Sequence, residues 1–183
     1  MADTADGREL FNGDRRGLDD LFSLTYEELR RLASTIRRDD ARATLNPTAL
    51  VNEAWVKLAS SPPLGGLTRL HFKRLAARAM RQVLVDAARR RGAATRGSGA
   101  APVTFDEELQ QAAAGAEELL ALDAALEALA RMNPRQAAMI EARFFGGLDI
   151  PECAELLGVS EATLLRDWRV AKAWLARELR GAG

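Results

Sequence analysis

Arginine is abundant in this sequence, whereas the residues of common catalytic sites are scarce. The chain has one cysteine and one histidine, so it can form no internal disulfide and no Cys/His metal cluster. No carboxylate pair and no nucleophile–base set occurs at a usable spacing. Guanidinium groups, by contrast, neutralise phosphates and donate paired hydrogen bonds to guanine. These residue types favour nucleic-acid binding over enzymatic activity, and they imply no cofactor.

The charged residues are unevenly distributed, although the net charge of the whole chain is zero. Residues 65–100 carry 9 basic and 1 acidic side chains, a net charge of +8, whereas residues 101–130 carry 7 acidic side chains and no basic one. A helix face that is almost entirely positive repels itself and calls for a polyanionic partner. The basic block therefore predicts a phosphate-binding surface, with a merely soluble basic helix as the alternative.

Residues 149–172 predict two helices joined by a tight turn. Asp149 and Glu152 have the spacing of a capping box, so Asp149 should begin the first helix. Gly158 should end that helix, and Ser160 should cap the next one. This is the pattern of a helix-turn-helix, whose second helix enters a DNA major groove. An ordinary helical hairpin with an apolar seam is the alternative.

The second helix of this motif has an apolar and a basic side. Its apolar residues recur at i, i+4, i+7 and i+11 and should be buried: Leu164, Trp168, Ala171 and Leu175. Its basic residues lie off that stripe: Arg166, Arg169 and Lys172. In the first helix of the motif, Cys153 stands among apolar residues, and we expect it to be a small buried side chain.

The rest of the chain also has a helical pattern, so we expect an all-α fold with two small helical domains joined by a flexible linker. Further helices are predicted over residues 8–16, 18–38, 47–59, 69–91, 116–132 and 134–144. Asn46-Pro47 and Asn133-Pro134 each offer a cap followed by the first helical residue. The predicted divisions are residues 1–92, an acidic linker over 93–115, and residues 116–183.

The helix at 47–59 carries a tryptophan on its apolar stripe. A tryptophan in this position is more often part of a core than a contact, so the pattern alone favours a buried Trp55. No apolar run approaches the ~20 residues of a membrane span, and the N-terminus lacks a signal-peptide core. We therefore expect a cytoplasmic protein.

Three segments together resemble an extracytoplasmic-function (ECF, group IV) sigma factor of the sigma-70 family of bacterial RNA polymerase. The core-polymerase-binding helix of sigma domain 2 is similar to LNPTALVNEAWVKL. The helix that reads and melts the −10 region is similar to HFKRLAARAMRQVLVDAARRR, and domain 4, which reads the −35 element, is similar to residues 134–180. A linker replaces domain 3. The resemblance implies a sigma factor that binds core RNA polymerase and directs promoter-specific initiation without enzymatic activity of its own.

The resemblance also implies roles for individual residues. Contacts to core polymerase would come from Leu50, Val51, Asn52, Glu53, Trp55 and Leu58, which raises Trp55 as a contact. Contacts to the −10 region, including its phosphates, would come from Arg74, Arg78, Arg81, Gln82, Arg89 and Arg90. Contacts to the −35 element would come from Ser160, Glu161, Thr163, Arg166, Arg169 and Lys172. Among these, Arg166 is the first choice for reading a base, and Lys172 for a phosphate.

The sequence departs from the family pattern at several positions. Leu75 stands where a tryptophan is frequent, and Gln82 where an asparagine is frequent. Fewer aromatic residues remain to stack on unpaired bases; Phe72 and His71 are the nearest, and we expect His71 to be a surface or capping residue. Leu165 is apolar at an outward position that is usually polar, where it either contacts a thymine methyl or packs on its neighbours.

Two other classes of protein are weighed against this interpretation. A conventional helix-turn-helix repressor or activator would bind duplex DNA as a dimer, but no long heptad seam for a dimer helix is found. An enzyme would need a catalytic constellation that the residue types do not supply. A sigma factor would have core RNA polymerase and promoter DNA as partners, with an anti-sigma factor as a further candidate.

Overall fold

The computed structural model describes residues 15–36, 46–60, 66–94 and 116–181, and the regular structure within them is α-helical. Seven helices lie in these ranges: α1 (Arg15–Ile36), α2 (Pro47–Ala59), α3 (Arg69–Ala94), α4 (Ala116–Met132), α5 (Pro134–Gly146), α6 (Ile150–Leu157) and α7 (Glu161–Gly181). The all-α prediction is confirmed. The predicted helix at 8–16 falls outside the described residues except for its last two, which begin α1. Most of the predicted linker also falls outside them.

Two helices begin with the same Asn-Pro pair, as predicted. The Asn46 side-chain oxygen accepts a hydrogen bond from the backbone N–H of Ala49 at 2.7 Å. The Asn133 side-chain oxygen accepts one from the backbone N–H of Gln136 at 3.1 Å. In both helices a proline occupies the first turn, where its missing N–H would have no partner anyway. The sequence thus fixes where α2 and α5 begin.

The end of α5 lies two residues beyond its predicted position because Gly146 stays within the helix. A Cβ atom added to Gly146 would lie 3.2 Å from the Cβ of Ala77 and 3.4 Å from the backbone oxygen of Lys73, both on α3. The missing side chain lets α3 and α5 approach closely. Gly147, with φ +64, then ends the helix in the left-handed conformation that glycine adopts most readily.

The central element is α3, which packs against α1 and α2 on the N-terminal side and against α4, α5 and α6 on the C-terminal side. Phe72 and Met80 of α3 are fully buried, as are Leu126 of α4 and Met139 of α5. These residues belong to one continuous hydrophobic cluster. The two halves of the chain (α1–α3 and α4–α7) therefore share a core in this structure. The division at residues 92 and 116 remains a prediction.

Candidate nucleic-acid interface

The helix-turn-helix of α6 and α7 forms around the predicted capping residues. An Asp149 carboxylate oxygen accepts a hydrogen bond from the backbone N–H of Glu152 at 2.8 Å, and Glu152 Oε2 accepts one from the N–H of Asp149 at 2.9 Å. Gly158 ends α6 with φ +64. Ser160 Oγ accepts a hydrogen bond from the N–H of Thr163 at 3.2 Å in the first turn of α7. These caps satisfy N–H groups that would otherwise lack partners, and they define how α7 leaves the turn.

The buried side of α7 is the predicted apolar stripe. Leu164, Ala171 and Leu175 are fully buried, so α7 is held against the rest of the C-terminal half. Trp168 of the same stripe is only half-buried. Because one side of α7 is committed to the core, the opposite side has a defined orientation toward solvent.

The outward side of α7 presents most of the residues expected at the −35 element. Ser160, Glu161, Arg166 and Arg169 are exposed, whereas Thr163 and Lys172 are half-buried. The Ser160 hydroxyl also donates a hydrogen bond to Thr163 Oγ1 at 3.0 Å, so both hydroxyls are engaged at the helix start. The outward face can therefore offer two guanidinium groups to base edges and phosphates.

Leu165 lies on this outward side with 40% of its surface exposed. Leu165 and Arg169 are four residues apart and so lie on the same face of the helix, with Arg166 beside them. Packing of Leu165 on its domain neighbours, one of the two alternatives, is thereby disfavoured. An apolar side chain between two arginines is suited to contact a thymine methyl group.

Arg143 is a residue of this region that the sequence patterns did not single out. Its guanidinium carbon lies 4.6 Å from the ring centroid of Trp168, a cation–π contact between α5 and α7. Its Nε and Nη1 atoms are buried without a hydrogen-bond partner in the described part of the chain. The sequence feature that could have drawn attention to Arg143 is its place in the last turn of α5, where the helix dipole favours a positive charge. Arg143 helps to position α7 and does not belong to its outward face.

The basic residues of α3 occupy three kinds of environment. Arg78, Gln82, Arg89 and Arg90, four of the residues expected at the −10 region, are exposed. Arg74 is half-buried. The Arg81 side chain is nearly covered. An exposed polar row along α3 is thus available for contact with DNA, whereas Arg81 is not.

Arg81 is surrounded by carboxylates of the C-terminal half. Its side chain is 13% exposed, with Nε 3.0 Å from Glu141 Oε1, Nη1 3.5 Å from Asp123 Oδ1 and Nη2 3.8 Å from Glu127 Oε1. Asp123 Oδ2 also lies 3.5 Å from Nη2 of Arg89. The expectation that the basic helix needs an external polyanion is therefore only partly correct, because acidic side chains of α4 and α5 neutralise part of it.

These carboxylates are held in an environment that disfavours their charge. Burial raises the pKa of both Asp123 and Glu141, and the attraction of Arg81, the next largest effect, lowers the pKa of each without cancelling that rise. For both acids, the loss of hydration on burial outweighs the attraction of the neighbouring arginines, so the charged form is disfavoured.

Lys73 is buried, although it belongs to the basic block of residues 65–100. Its side chain is 7% exposed, and its Nζ lies 3.2 Å from Glu152 Oε1 and 3.4 Å from Glu28 Oε2. Glu152 thus takes part in the α6 capping box and in an ion pair to α3. Lys73 joins the helix-turn-helix to the N-terminal half, and it cannot contact DNA in this structure.

The two aromatic residues nearest the expected melting region lie in different environments. Phe72 is fully buried in the core, so it offers no surface for base stacking in this arrangement. His71 is exposed, and its Nδ1 lies 2.7 Å from Oγ1 of Thr68, the residue that precedes α3. This position agrees with the expected surface or capping role of His71.

The residues expected to bind core polymerase lie on two sides of α2. Leu50 and Val51 are buried in the core, Asn52 and Glu53 are exposed, and Trp55 and Leu58 are half-buried. The Trp55 ring stacks on Phe22 of α1 with centroids 4.6 Å apart and an angle of 18° between the rings. Trp55 therefore contributes to packing while keeping part of its surface accessible.

Two exposed apolar residues of α1 and α2 were not among those expected to bind a partner. Val56 of α2 is 63% exposed and Leu24 of α1 is 61% exposed. Both lie off the buried stripes of their helices, and this position was the only feature of the sequence that indicated their exposure. Val56 lies on the same helix as the exposed Asn52 and Glu53, on the side of α2 that faces away from the core.

No metal-binding group of three His, Cys, Asp or Glu residues occurs among residues 15–36, 46–60, 66–94 and 116–181. Cys153 is fully buried as predicted, and burial raises its thiol pKa to about 12, so it remains protonated at neutral pH. Within the same ranges, every helix is too short or too polar to cross a membrane.

Comparison with protein families gives a match that spans nearly the whole chain. A family model described as ECF sigma factor matches residues 8–181. The comparisons with curated proteins and with solved structures gave no match.

Proposed function

Because the chain belongs to the ECF sigma factor family, whose members direct transcription initiation by RNA polymerase, we propose that it selects promoters by reading −10 and −35 elements. The observation that carries this proposal is the outward face of α7. Arg166 and Arg169 are exposed there, while Leu164 and Ala171 anchor the opposite side of the same helix. A recognition helix needs this combination of a fixed orientation and exposed hydrogen-bond donors.

In the proposed function, α7 enters the major groove of the −35 element. Arg166 donates paired hydrogen bonds to a guanine, and Leu165 contacts a neighbouring thymine methyl group. Arg169 and Lys172 neutralise phosphates and set the register of the helix on the duplex.

The exposed row of α3 meets the −10 region in this proposal. Arg78, Gln82, Arg89 and Arg90 are accessible for this purpose as the protein stands. Core polymerase is held by the outer side of α2, where Asn52, Glu53 and the accessible part of Trp55 lie. Val56 extends this docking surface, whereas Leu50 and Val51 support it from the core.

Transcription with purified core RNA polymerase tests the proposal. The protein should co-elute with core polymerase and support run-off transcription from a subset of a promoter library. A chain that neither co-elutes nor supports any transcript would contradict the proposal. Tight binding of the protein alone to a palindromic duplex would instead favour a conventional repressor or activator.

Replacement of Arg166 tests the role of α7 directly. Arg166→Ala should weaken promoter selection by about 1–3 kcal/mol, with the loss confined to one −35 base pair. Arg31→Ala is a matched control, because Arg31 is exposed on α1 in the other half of the chain. A uniform loss over all −35 sequences would reassign Arg166 to a phosphate contact.

A further inference from the structure

An ion pair joins the start of α5 to the recognition helix α7. Nε and Nη2 of Arg135 both lie 2.8 Å from Oδ2 of Asp167, and Nε2 of Gln136 donates a hydrogen bond to Oδ1 of the same carboxylate at 3.4 Å. Two consecutive residues of α5 therefore engage both oxygens of Asp167. None of the three belongs to the residues expected to contact the −35 element.

Asp167 is a charged residue on the packed side of α7. It follows Leu164 by three positions and precedes Ala171 by four, so it shares a helix face with two fully buried residues. The Asp167 side chain is 13% exposed, whereas that of Arg135 is 45% exposed. A carboxylate in such a place loses most of its hydration, which is costly unless hydrogen-bond donors replace the water. Arg135 and Gln136 supply those donors.

Trp168, the next residue of α7, makes a second directional contact with α5. Its ring centroid lies 4.6 Å from the guanidinium carbon of Arg143. Arg135 and Arg143 are eight residues apart on α5, which is about 12 Å along the helix axis. Two consecutive residues of α7 thus engage α5 near its two ends. A helix held in this way cannot rotate about its own axis without losing one of the contacts.

The direction of the Arg166 side chain depends on that rotation. Arg166 is exposed and immediately precedes Asp167, so any rotation of α7 at Asp167 also moves the Arg166 guanidinium group. The buried apolar residues hold α7 against the core, but apolar contacts have no preferred direction, whereas hydrogen bonds between charged groups do. Base reading requires donors that are held to within about 0.5 Å and 10–20° of their places. The Asp167 contact therefore bears directly on base reading.

We propose that Asp167 and Arg135 are positioning residues for promoter selection, because their ion pair fixes the rotation of α7 and thereby aims Arg166 at its base. Neither residue contacts DNA in this role. The proposal rests on the proposed function, since it concerns how α7 reads the −35 element. Without Arg135, the Asp167 carboxylate keeps a single amide donor at 3.4 Å and turns toward water, and α7 turns with it. Without Asp167, the rotation depends on apolar contacts and Trp168.

A double-mutant cycle in the holoenzyme tests the proposal. Arg135→Ala, Asp167→Ala and the double variant are each combined with core RNA polymerase. Fluorescence anisotropy then gives the affinities for two promoters that differ only at the −35 base pair read by Arg166. Each single variant should lower the ratio of the two affinities at least about twofold, the smallest effect usual for coupled residues in contact. The double variant should lose no more than the larger single loss, because the two residues act as one contact.

Salt dependence separates positioning from a phosphate contact. The slope of log affinity against log salt concentration should be the same for Arg135→Ala as for wild type. If Arg135 contacted a phosphate, its removal would weaken binding equally for all −35 sequences and reduce the slope by about 1. That result would overturn the proposal. A double variant whose loss equals the product of the two single losses would also overturn it, because the residues would then act independently.

Asp86→Ala is a matched control. Asp86 accepts a hydrogen bond from Lys57 at 2.8 Å, so this variant also removes an ion pair between two helices, but in the N-terminal half. It should leave the affinity ratio unchanged, and an equal loss would show that general loosening of the fold explains the effect. Circular dichroism establishes that each variant is folded. If Asp167→Ala does not fold, the affinity ratio and salt slope of Arg135→Ala decide the outcome.

Failure of the proposed function gives a different result from failure of the positioning role. A wild-type holoenzyme without any preference at the −35 element contradicts the proposed function, and the positioning role falls with it. A wild type that discriminates, together with single variants that discriminate equally well, contradicts the positioning role alone.

Discussion

Two adjacent leucines in α7 provide a direct test of how the recognition helix is oriented. Leu164 is fully buried, whereas Leu165 is 40% exposed, although the two residues are chemically identical neighbours. Replacing each with alanine removes the same atoms. Any difference between the two variants therefore reports the environment of each residue.

The structure predicts a large difference in stability. Leu164→Ala removes three buried carbon atoms at about 0.8 kcal/mol each, or about 2.4 kcal/mol. The cavity that remains raises the loss in the free energy of unfolding to about 3–4 kcal/mol. Leu165→Ala loses at most about 60% of that transfer energy, leaves no closed cavity and gains helix propensity, so its loss should be about 1 kcal/mol or less.

Chemical and thermal unfolding followed by circular dichroism would measure both values. In a chain of 183 residues, the Leu164→Ala loss corresponds to a Tm decrease of about 6–15 °C. Run-off transcription at permissive temperature should show the opposite order: Leu165→Ala alters preference at a −35 position, and Leu164→Ala leaves the preference unchanged. Equal destabilisation by the two variants, or a larger one by Leu165→Ala, would refute the orientation of α7 described above.

Three further predictions concern other parts of the molecule. Val56→Glu places a charge on the exposed apolar side of α2 and should reduce co-elution with core polymerase while leaving Tm within about 2 °C of wild type; normal co-elution would remove Val56 from the docking surface. Asp149→Ala removes one side of the capping box and should reduce the free energy of unfolding by about 1 kcal/mol in a urea titration, whereas an unchanged midpoint would show that the cap is dispensable. Finally, because burial raises the pKa of Asp123 and Glu141, the folded protein binds their protons more tightly than the unfolded chain does, and their contribution to stability should fall as the pH rises through the raised pKa. The unfolding free energy of wild type, relative to Asp123→Asn with Glu141→Gln, should therefore fall as the pH rises above the ordinary carboxyl pKa, and a rise over the same range would show that attraction to Arg81 outweighs burial.

The packing of α4 and α5 against α3 gives their acidic residues a role that composition alone did not suggest. In the sequence, the acidic and basic blocks follow one another and could simply have been two separate surfaces. In the structure, Asp123 and Glu141 lie against α3 and neutralise Arg81. Opposite charges in neighbouring blocks can therefore serve as an internal contact as well as a pair of binding surfaces.

The sequence by itself determined the features that depend on neighbouring residues. Asn46, Asn133 and Asp149 begin helices because their side chains cap N–H groups only three residues away. The burial of Leu164 and Leu175 follows from the helical repeat, because that repeat fixes which residues share a face. The family itself was also evident from the sequence, since its motifs are continuous segments.

Only the tertiary structure decided which charged and aromatic side chains are accessible. Lys73 and Arg81 look like their neighbours in the sequence, yet both are covered because acidic residues far along the chain pack against α3. Phe72 is buried and Leu165 is exposed for a similar reason: the position of an entire helix, and not its local pattern, determines what covers each residue. Long-range packing cannot be read from one helix at a time, because the partner helices supply both the apolar cover and the opposite charge.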